Sequence, residues 1–259
     1  MPHISFSADG LRAVLAATLI GLLPVASGLL VLHWQVERNL RDEVRHTTAE
    51  AIRQLDVIIA QAAQSAERLL PLAGEPCESV LHQVRQEVTI EPFVRSANLV
   101  RDHQGYCSSF YGAYQRPVSQ QEYFNGRLLL RASNPVTPDE ASLVYRLYNH
   151  PHGVRTVIDG RTLASALRMI EGHAVLVLQV GEAFLWSDSS VRGGDIPDHP
   201  EHHTLLTSKE FGYQVHGGFA PGYGWGYLKR QAFATLGGLL LLGIATGGVC
   251  HWLYRRRQG

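Results

Sequence analysis

A chain of 259 residues with 45% hydrophobic and 18% charged positions has the averages of one soluble domain or two small ones. The averages hide a partition: residues 13–36 and 231–254 contain no Asp, Glu, Lys or Arg, and each of these 24-residue runs is close to the ~20 residues that cross a bilayer as a helix. A wholly soluble protein is therefore not expected, and because basic and acidic residues cancel at 23 each, neither is a nucleic-acid partner.

The first run follows Arg12. An export signal has the same polarity, but its apolar core is shorter, ~7–15 residues, and here hydrophobic sequence resumes directly after the small residues around Ser27. The reading is an uncleaved anchor, with Pro24 a possible kink. The second run ends in Arg255, Arg256 and Arg257, and its Gly243 and Gly247 have the GxxxG spacing that lets helices approach closely. Tyr223, Trp225 and Tyr227 ahead of it suit a bilayer interface. Orientation is not decided by charge. Arg12 is opposed by Arg38, Arg41 and Arg45 across the first run, and Lys229 and Arg230 oppose the arginine tail across the second.

Between the runs, Leu40, Val44, Ile52, Leu55, Ile59, Ala62, Ala66 and Leu69 recur at spacings of mostly three or four, which predicts a helix continuous with the first apolar run. The stripe serves as domain core or as the seam of a parallel dimer stalk. A short helix is expected at 78–87, after the Glu75-Pro76 break. SANLVRD and YCSSFYGAY flank a hairpin signal at His103-Gln104-Gly105, read as a turn whose glycine accepts positive φ. GRLLLRAS and SLVYRLYN form the next strand pair. GVRTVID leads through Gly160 into a helical RTLASALRMI, and HAVLVLQV, GEAFLWSD and GYQVHGGF complete an antiparallel sheet. This order, long helix, paired strands, helix, strands, is that of an α+β sensor domain of PAS-like or Cache-like type.

Three cysteines are present, and Cys250 lies in the second apolar run. Cys77 and Cys107 lack the CxxC spacing of a zinc or redox-enzyme site. They are either two buried thiols or, as preferred, a disulfide, which requires an oxidising compartment. Asp195, Asp198, His199, Glu201, His202 and His203 form a dense patch. His199, His202 and His203 are weak candidates for zinc or copper, and GGDIPDHPEHH reads first as a solvated loop that loosens on acidification. No nucleophile elbow, HExxH helix, Walker loop or dinucleotide fingerprint occurs, so neither a catalytic residue nor a cofactor is expected.

Residues 98–109, Asn-Leu-Val-Arg-Asp-His-Gln-Gly-Tyr-Cys-Ser-Ser, resemble the CSS motif of the periplasmic sensor domain in bacterial membrane-bound cyclic-di-GMP phosphodiesterases. Cys77 and the later GVRTVIDGRTLASAL are similar to that family as well. The resemblance implies a redox-active disulfide between Cys77 and Cys107, with Ser108 and Ser109 completing the motif. It also implies regulation of a cytoplasmic EAL phosphodiesterase domain. The sequence ends five residues after Tyr254, and the local mimic Glu50-Ala51-Ile52-Arg53 lacks the downstream acidic residues that would hold metal ions around a phosphodiester. The expected layout is a cytoplasmic stretch at 1–12, membrane helices at 13–36 and 231–254, a periplasmic sensor domain at 37–230 and a cytoplasmic tail at 255–259. The expected function is an inner-membrane redox sensor module, alternatively the sensor half of a phosphodiesterase, or a periplasmic ligand- or metal-binding module. Its expected partners are the membrane, a second copy through stalk and membrane helices, a periplasmic thiol–disulfide oxidoreductase and a cytoplasmic EAL-domain protein.

Overall fold

A computed structural model describes residues 8–133, 140–193 and 201–258. The chain divides into two compact units, one made of residues 1–42 with 221–259, the other of residues 43–220. Helix α1 (Ala8–Leu69) contributes to both, and α4 (Tyr223–Gln258) belongs to the first. Each carries a stretch long and apolar enough to cross a membrane. In that unit the two helices meet at glycines. A Cβ on Gly21 would lie 2.8 Å from the Gly243 carbonyl oxygen, and one on Gly247 would lie 3.0 Å from that of Ala17. The Gly243/Gly247 spacing is thus used within the chain, against its own first helix.

In the second unit the apolar stripe of α1 is the spine of the core. Val44, Leu55, Ile59, Ala62 and Ala66 are fully buried, and Leu69 nearly so. This face is occupied by the domain's own sheets, so the stripe does not form the seam of a dimer stalk. A 3-10 turn, Leu70–Leu72, ends the rod where Pro71 cannot continue it, and α2 (Cys77–Ile90) follows, burying Val80 and Val84.

The remaining elements are β1 (Ser96–Arg101), β2 (Gln104–Ser108), β3 (Gly112–Pro117), β4 (Leu128–Arg131), β5 (Ser142–Asn149), β6 (His152–Asp159), α3 (Gly160–Met169), β7 (Val175–Val180), β8 (Ala183–Trp186), β9 (Val191–Gly193), β10 (Glu201–Thr207) and β11 (Gln214–Phe219). They form two antiparallel sheets, ordered β3-β2-β1-β6-β5-β4 and β10-β11-β7-β8-β9, where a single sheet was expected. The split has a plain cause. β1 and β5 flank β6 on both sides, so β7, delivered after α3, cannot pair with the strand before it, and it joins β11 and β8 in a second sheet. Asp159 caps α3 by accepting a 2.8 Å hydrogen bond from the Arg161 N–H.

Two local expectations need correction. The β1–β2 turn places Asp102 (φ 50°) and His103 (φ 61°), not Gly105, in the left-handed region, so the two-residue turn sits one step earlier than the glycine implied. YCSSFYGAY is two strands, broken by a turn after Ser108 that returns β3 onto β2 through Ser108 opposite Gly112 (φ 75°).

Candidate functional site

The region around Cys107 is assembled from α2, β1, β2 and the turn that follows α1. Cys107 lies on β2, opposite Leu99 of β1 and Ala113 of β3, and is fully buried. Cys77 is the first residue of α2 and is 9% exposed. The two form a disulfide with Cα atoms 5.2 Å apart, closing a loop of sequence separation 30. The bond ties the start of α2 to the middle strand of a three-stranded edge.

The serines after Cys107 have separate tasks. Ser108 is buried, and its hydroxyl accepts a 3.2 Å hydrogen bond from the Phe110 N–H at the turn into β3. Ser109 closes the β1–β2 ladder: its N–H donates to the Ala97 carbonyl at 2.9 Å, and its hydroxyl accepts from the Ala97 N–H at 3.1 Å. The Arg85 Nε of α2 then donates to the Ser109 carbonyl at 3.0 Å, a second link between α2 and the motif.

A third link lies just ahead of Cys77. The Gly74 N–H donates to the Tyr106 hydroxyl at 2.9 Å, the Arg101 guanidinium donates to the Gly74 carbonyl, and Arg101 stacks over the Tyr106 ring at 4.9 Å. Gly74 has φ 121°, and a Cβ there would stand 2.8 Å from His152 Nε2, so both conformation and space demand glycine. Sequence reasoning singled out Cys77, Cys107, Ser108 and Ser109 and missed Gly74, Arg85, Arg101 and Tyr106. Only the glycine-before-proline spacing at 74–76 hinted at the turn, since the other contacts join segments far apart in the chain.

The described members of the histidine patch are not brought together on one metal site. His199 lies outside the described residues, as do Asp195 and Asp198. His202 and His203 sit on β10, where a loop was expected. The strand forms because Thr204 to Thr207 pair with β11, and His202 (φ 57°) takes up a register irregularity between Glu201 and Thr204. His203 Nε2 lies 3.1 Å from Nδ1 of buried His216, whose Nε2 is 2.6 Å from Gln179 Oε1, while His202 meets the edge of Phe219. Among the described residues no three His, Cys, Asp or Glu side chains are placed to share a metal ion. Glu50, in the local mimic of an EAL sequence, is held on the surface of α1 by Gln54 at 3.0 Å and by Arg53. These hydrogen bonds keep its carboxyl below the usual carboxylate range. The acid of that mimic is a helix-surface ion pair.

Residues 40–232 match the model of the CSS motif domain associated with EAL. The chain belongs to this family. The chain is also 33% identical over 106 residues to the probable cyclic di-GMP phosphodiesterase PdeD of Escherichia coli strain K12, a match over 40% of this chain and 20% of that protein. The chain therefore aligns with about a fifth of that relative's length. Among solved structures it is similar to the ligand-binding domain of the Pseudomonas aeruginosa PAO1 amino acid chemoreceptor PctB, with TM-score 0.57 and 11% identity over 81% of this chain and 98% of that one. It is also similar to the periplasmic domain of Chlamydia trachomatis RsbU, with TM-score 0.46 and 12% identity over 75% and 95%. The fold of the CSS-motif domain is the expected α+β arrangement, a long helix carrying antiparallel sheets, and the PctB domain shares it.

Proposed function

We propose that this CSS-motif domain is the sensory part of an inner-membrane protein of cyclic-di-GMP signalling, and that its input is the oxidation state of Cys77 and Cys107. In this reading residues 37–230 are periplasmic, 13–36 and 231–254 cross the membrane, and 1–12 and 255–259 are cytoplasmic. The output is an EAL phosphodiesterase domain, in the same polypeptide or a separate one. Family membership supports the output. The observation that carries the input is the disulfide between the first residue of α2 and a central strand, 30 residues apart.

The step is a two-electron, two-proton reduction. A thiolate of a periplasmic dithiol oxidoreductase attacks Cys77 Sγ, the less buried of the two sulfurs, and Cys107 leaves as a thiolate that takes up a proton. The oxidoreductase's second thiol then resolves the mixed disulfide, leaving Cys77 as a thiol and the oxidoreductase oxidised. The loop loses a constraint worth roughly 3–4 kcal/mol on the chain-entropy model. The hold of Tyr106 and Arg101 on Gly74 remains, so α2 loosens without being released. A signal follows only if the two redox states favour different arrangements of α1, the helix common to both units.

The test uses the full chain in membranes. Reporter fusions at both ends should place both termini in the cytoplasm. With Cys250 replaced by Ser, a polymer-linked maleimide applied on denaturation should label no cysteine without prior reduction and two after it, and one in Cys77→Ser under either condition. In a fusion to an EAL domain, reductant should change cyclic-di-GMP hydrolysis in the unmodified protein and not in Cys77→Ser. Hydrolysis that responds equally in both proteins would sink the redox reading.

A further inference from the structure

Residues alternate along each strand, so the six-stranded sheet has two faces of different character. One carries Leu99, Cys107, Leu143, Val154 and Ile158 into the main core, and Thr156 donates to the Ala62 carbonyl of α1 at 3.0 Å. The other holds a separate small cluster, Val100, Val118, Tyr123 and Val144, and beside it a cavity of about 220 Å³. Asn98, Ser108, Tyr114, Tyr123 and Arg155 are among its walls.

The polar groups of this face form a rank across four adjacent strands. Arg146 of β5 stands opposite Arg155 of β6, Arg155 opposite Asn98 of β1, and Asn98 opposite Ser108 of β2. Two guanidinium groups directly opposed on neighbouring strands repel. Here they are poorly compensated. Arg146 Nη1 donates to the Gly126 carbonyl at 3.1 Å, but its buried Nη2 and the buried Arg155 Nε have no acceptor, and the Tyr123 hydroxyl, on a side chain 6% exposed, is buried beside the Arg155 guanidinium without a hydrogen bond of ordinary geometry. Arg146 lies over Tyr148 at 4.5 Å and over Tyr123 at 5.6 Å, and Arg155 over Tyr123 at 5.9 Å. These π faces soften the charge but accept no N–H hydrogen bond of ordinary strength.

The other arginines at the cavity differ. Arg95 is paired with Glu140 and Asp159 at 3.0 and 3.1 Å, and Arg131 with Glu122 at 2.6 Å. Among the described residues no carboxylate pairs with Arg155 or with Arg116, which also lines the cavity. A buried donor without an acceptor costs about 1–3 kcal/mol, more when charged, so a cavity lined by the Arg155 donor and the Tyr123 phenol favours an anion.

The walls define its class. Phe110, Tyr111, Tyr114, Val118, Val144 and Val157 give the cavity an apolar side, and its volume is that of roughly seven waters at ~30 Å³ each. An inorganic oxyanion would leave the apolar side uncovered, and a cationic ligand would meet an excess of arginine. We propose that this cavity binds a small organic carboxylate with an apolar or aromatic body, its carboxylate on Arg155 and the Tyr123 hydroxyl. The inference is independent of the redox reading. The two inputs would nevertheless share a strand, because Ser108 lines the cavity while the adjacent Cys107 carries the disulfide on the opposite face.

Isothermal titration of the oxidised full chain in detergent tests this, with phenylacetate and 4-methyl-2-oxopentanoate as carboxylate probes and phenylacetamide and inorganic phosphate as controls. At least one carboxylate should bind saturably and neither control should. Arg155→Gln should weaken that binding at least about tenfold, the loss expected for a charged hydrogen bond. Tyr123→Phe deletes a buried hydroxyl that makes no hydrogen bond of ordinary geometry, so it should fold and still weaken the same ligand. That variant decides the matter should Arg155→Gln fail to fold. Binding of neither carboxylate, of the amide as tightly as the acid, of phosphate alone, or unchanged binding in Tyr123→Phe would overturn the proposal.

Discussion

Tyr213 is the largest of the fully buried side chains. Its hydroxyl lies 2.8 Å from Asp56 Oδ1 and 3.0 Å from the Ile52 carbonyl oxygen, and Ser208 donates to the same Asp56 oxygen at 2.8 Å. One side chain thus fastens the turn between β10 and β11 to α1. Burial, and then the hydrogen bond to Asp56, push its phenol far above the ordinary tyrosine range. The neutral phenol is the form the fold favours, so its contribution is complete below the unfolded pKa of ~10 and declines as pH rises beyond it, where the unfolded chain binds fewer protons than the native one. Tyr213→Phe should cost about 1–2 kcal/mol in urea unfolding at pH 7 and reduce the fall in stability between about pH 9.5 and 11. An undiminished alkaline fall would show that other groups cause it. Burial also raises Tyr114, Tyr123 and Tyr145, and these should resist tyrosinate formation in an absorbance titration of the native domain. At Gly74, alanine meets both the left-handed backbone and the His152 ring, so Gly74→Ala should destabilise by about 1–3 kcal/mol. The same change should slow reoxidation of Cys77 with Cys107, because the turn presents Cys77 to its partner. Equal reoxidation rates in the variant and the unmodified chain would assign that presentation to α2 alone.

At the scale of elements, α2 is attached to its surroundings by four kinds of contact. Val80 and Val84 enter the core, Arg68 of α1 pairs with Glu87 and Glu91, Arg85 reaches the Ser109 carbonyl, and the disulfide joins its first residue to β2. Arg68 is about half exposed, which screens these ion pairs and keeps their contribution modest. The apolar contacts and the covalent link carry most of the attachment. Cys77→Ser should therefore destabilise by roughly 3–4 kcal/mol, and reductant should lower the stability of the unmodified chain by a similar amount while leaving the variant unaffected. Hydrogen exchange should show the added opening first in α2 and the preceding turn. Uniform loss of protection across both sheets would mean that the bond stabilises the domain globally rather than seating one helix. Periodicity alone was enough to mark α1, α2 and α3, because an amphipathic helix writes its buried face into spacings of three and four. The strand pairs β1–β2 and β4–β5 were legible for a related reason, since turn residues separate alternating runs. β9 and β10 were not. Glu201-His202-His203 carries no apolar alternation, and its strand geometry comes from ladder hydrogen bonds to β11, a partner contributed from beyond the next turn.

The whole molecule combines an apolar helix pair with a two-sheet domain, and α1 takes part in both. Close approach of α1 and α4 depends on Gly21, Gly243 and Gly247. Gly243→Leu should force the two apart, since even a Cβ there would fall 3.2 Å from Val25 Cγ2 and closer still to the Gly21 carbonyl. With Cys250 replaced by Ser, crosslinking of Thr18→Cys to Gly248→Cys by a short bis-maleimide, two positions that line one groove between the helices, should be efficient in the parent and at least about fivefold less so with Gly243→Leu, a loss of about 1 kcal/mol of association. Equal yields would mean that the glycines do not set the approach. Local sequence determined the two apolar runs, the helical stripe and the α+β order, because each is written in spacings of a few residues, while Cys77, Cys107, Ser108 and Ser109 were picked out together through the resemblance to the CSS motif. Only the tertiary structure decided that the strands divide into two sheets, that Tyr106 and Arg101 grip Gly74, and that His203 meets His216. It alone placed Arg146 and Arg155 side by side on the face behind Cys107. Those outcomes depend on which strand edges are already taken and on cross-strand register, and both are set by packing among segments that are distant in the chain.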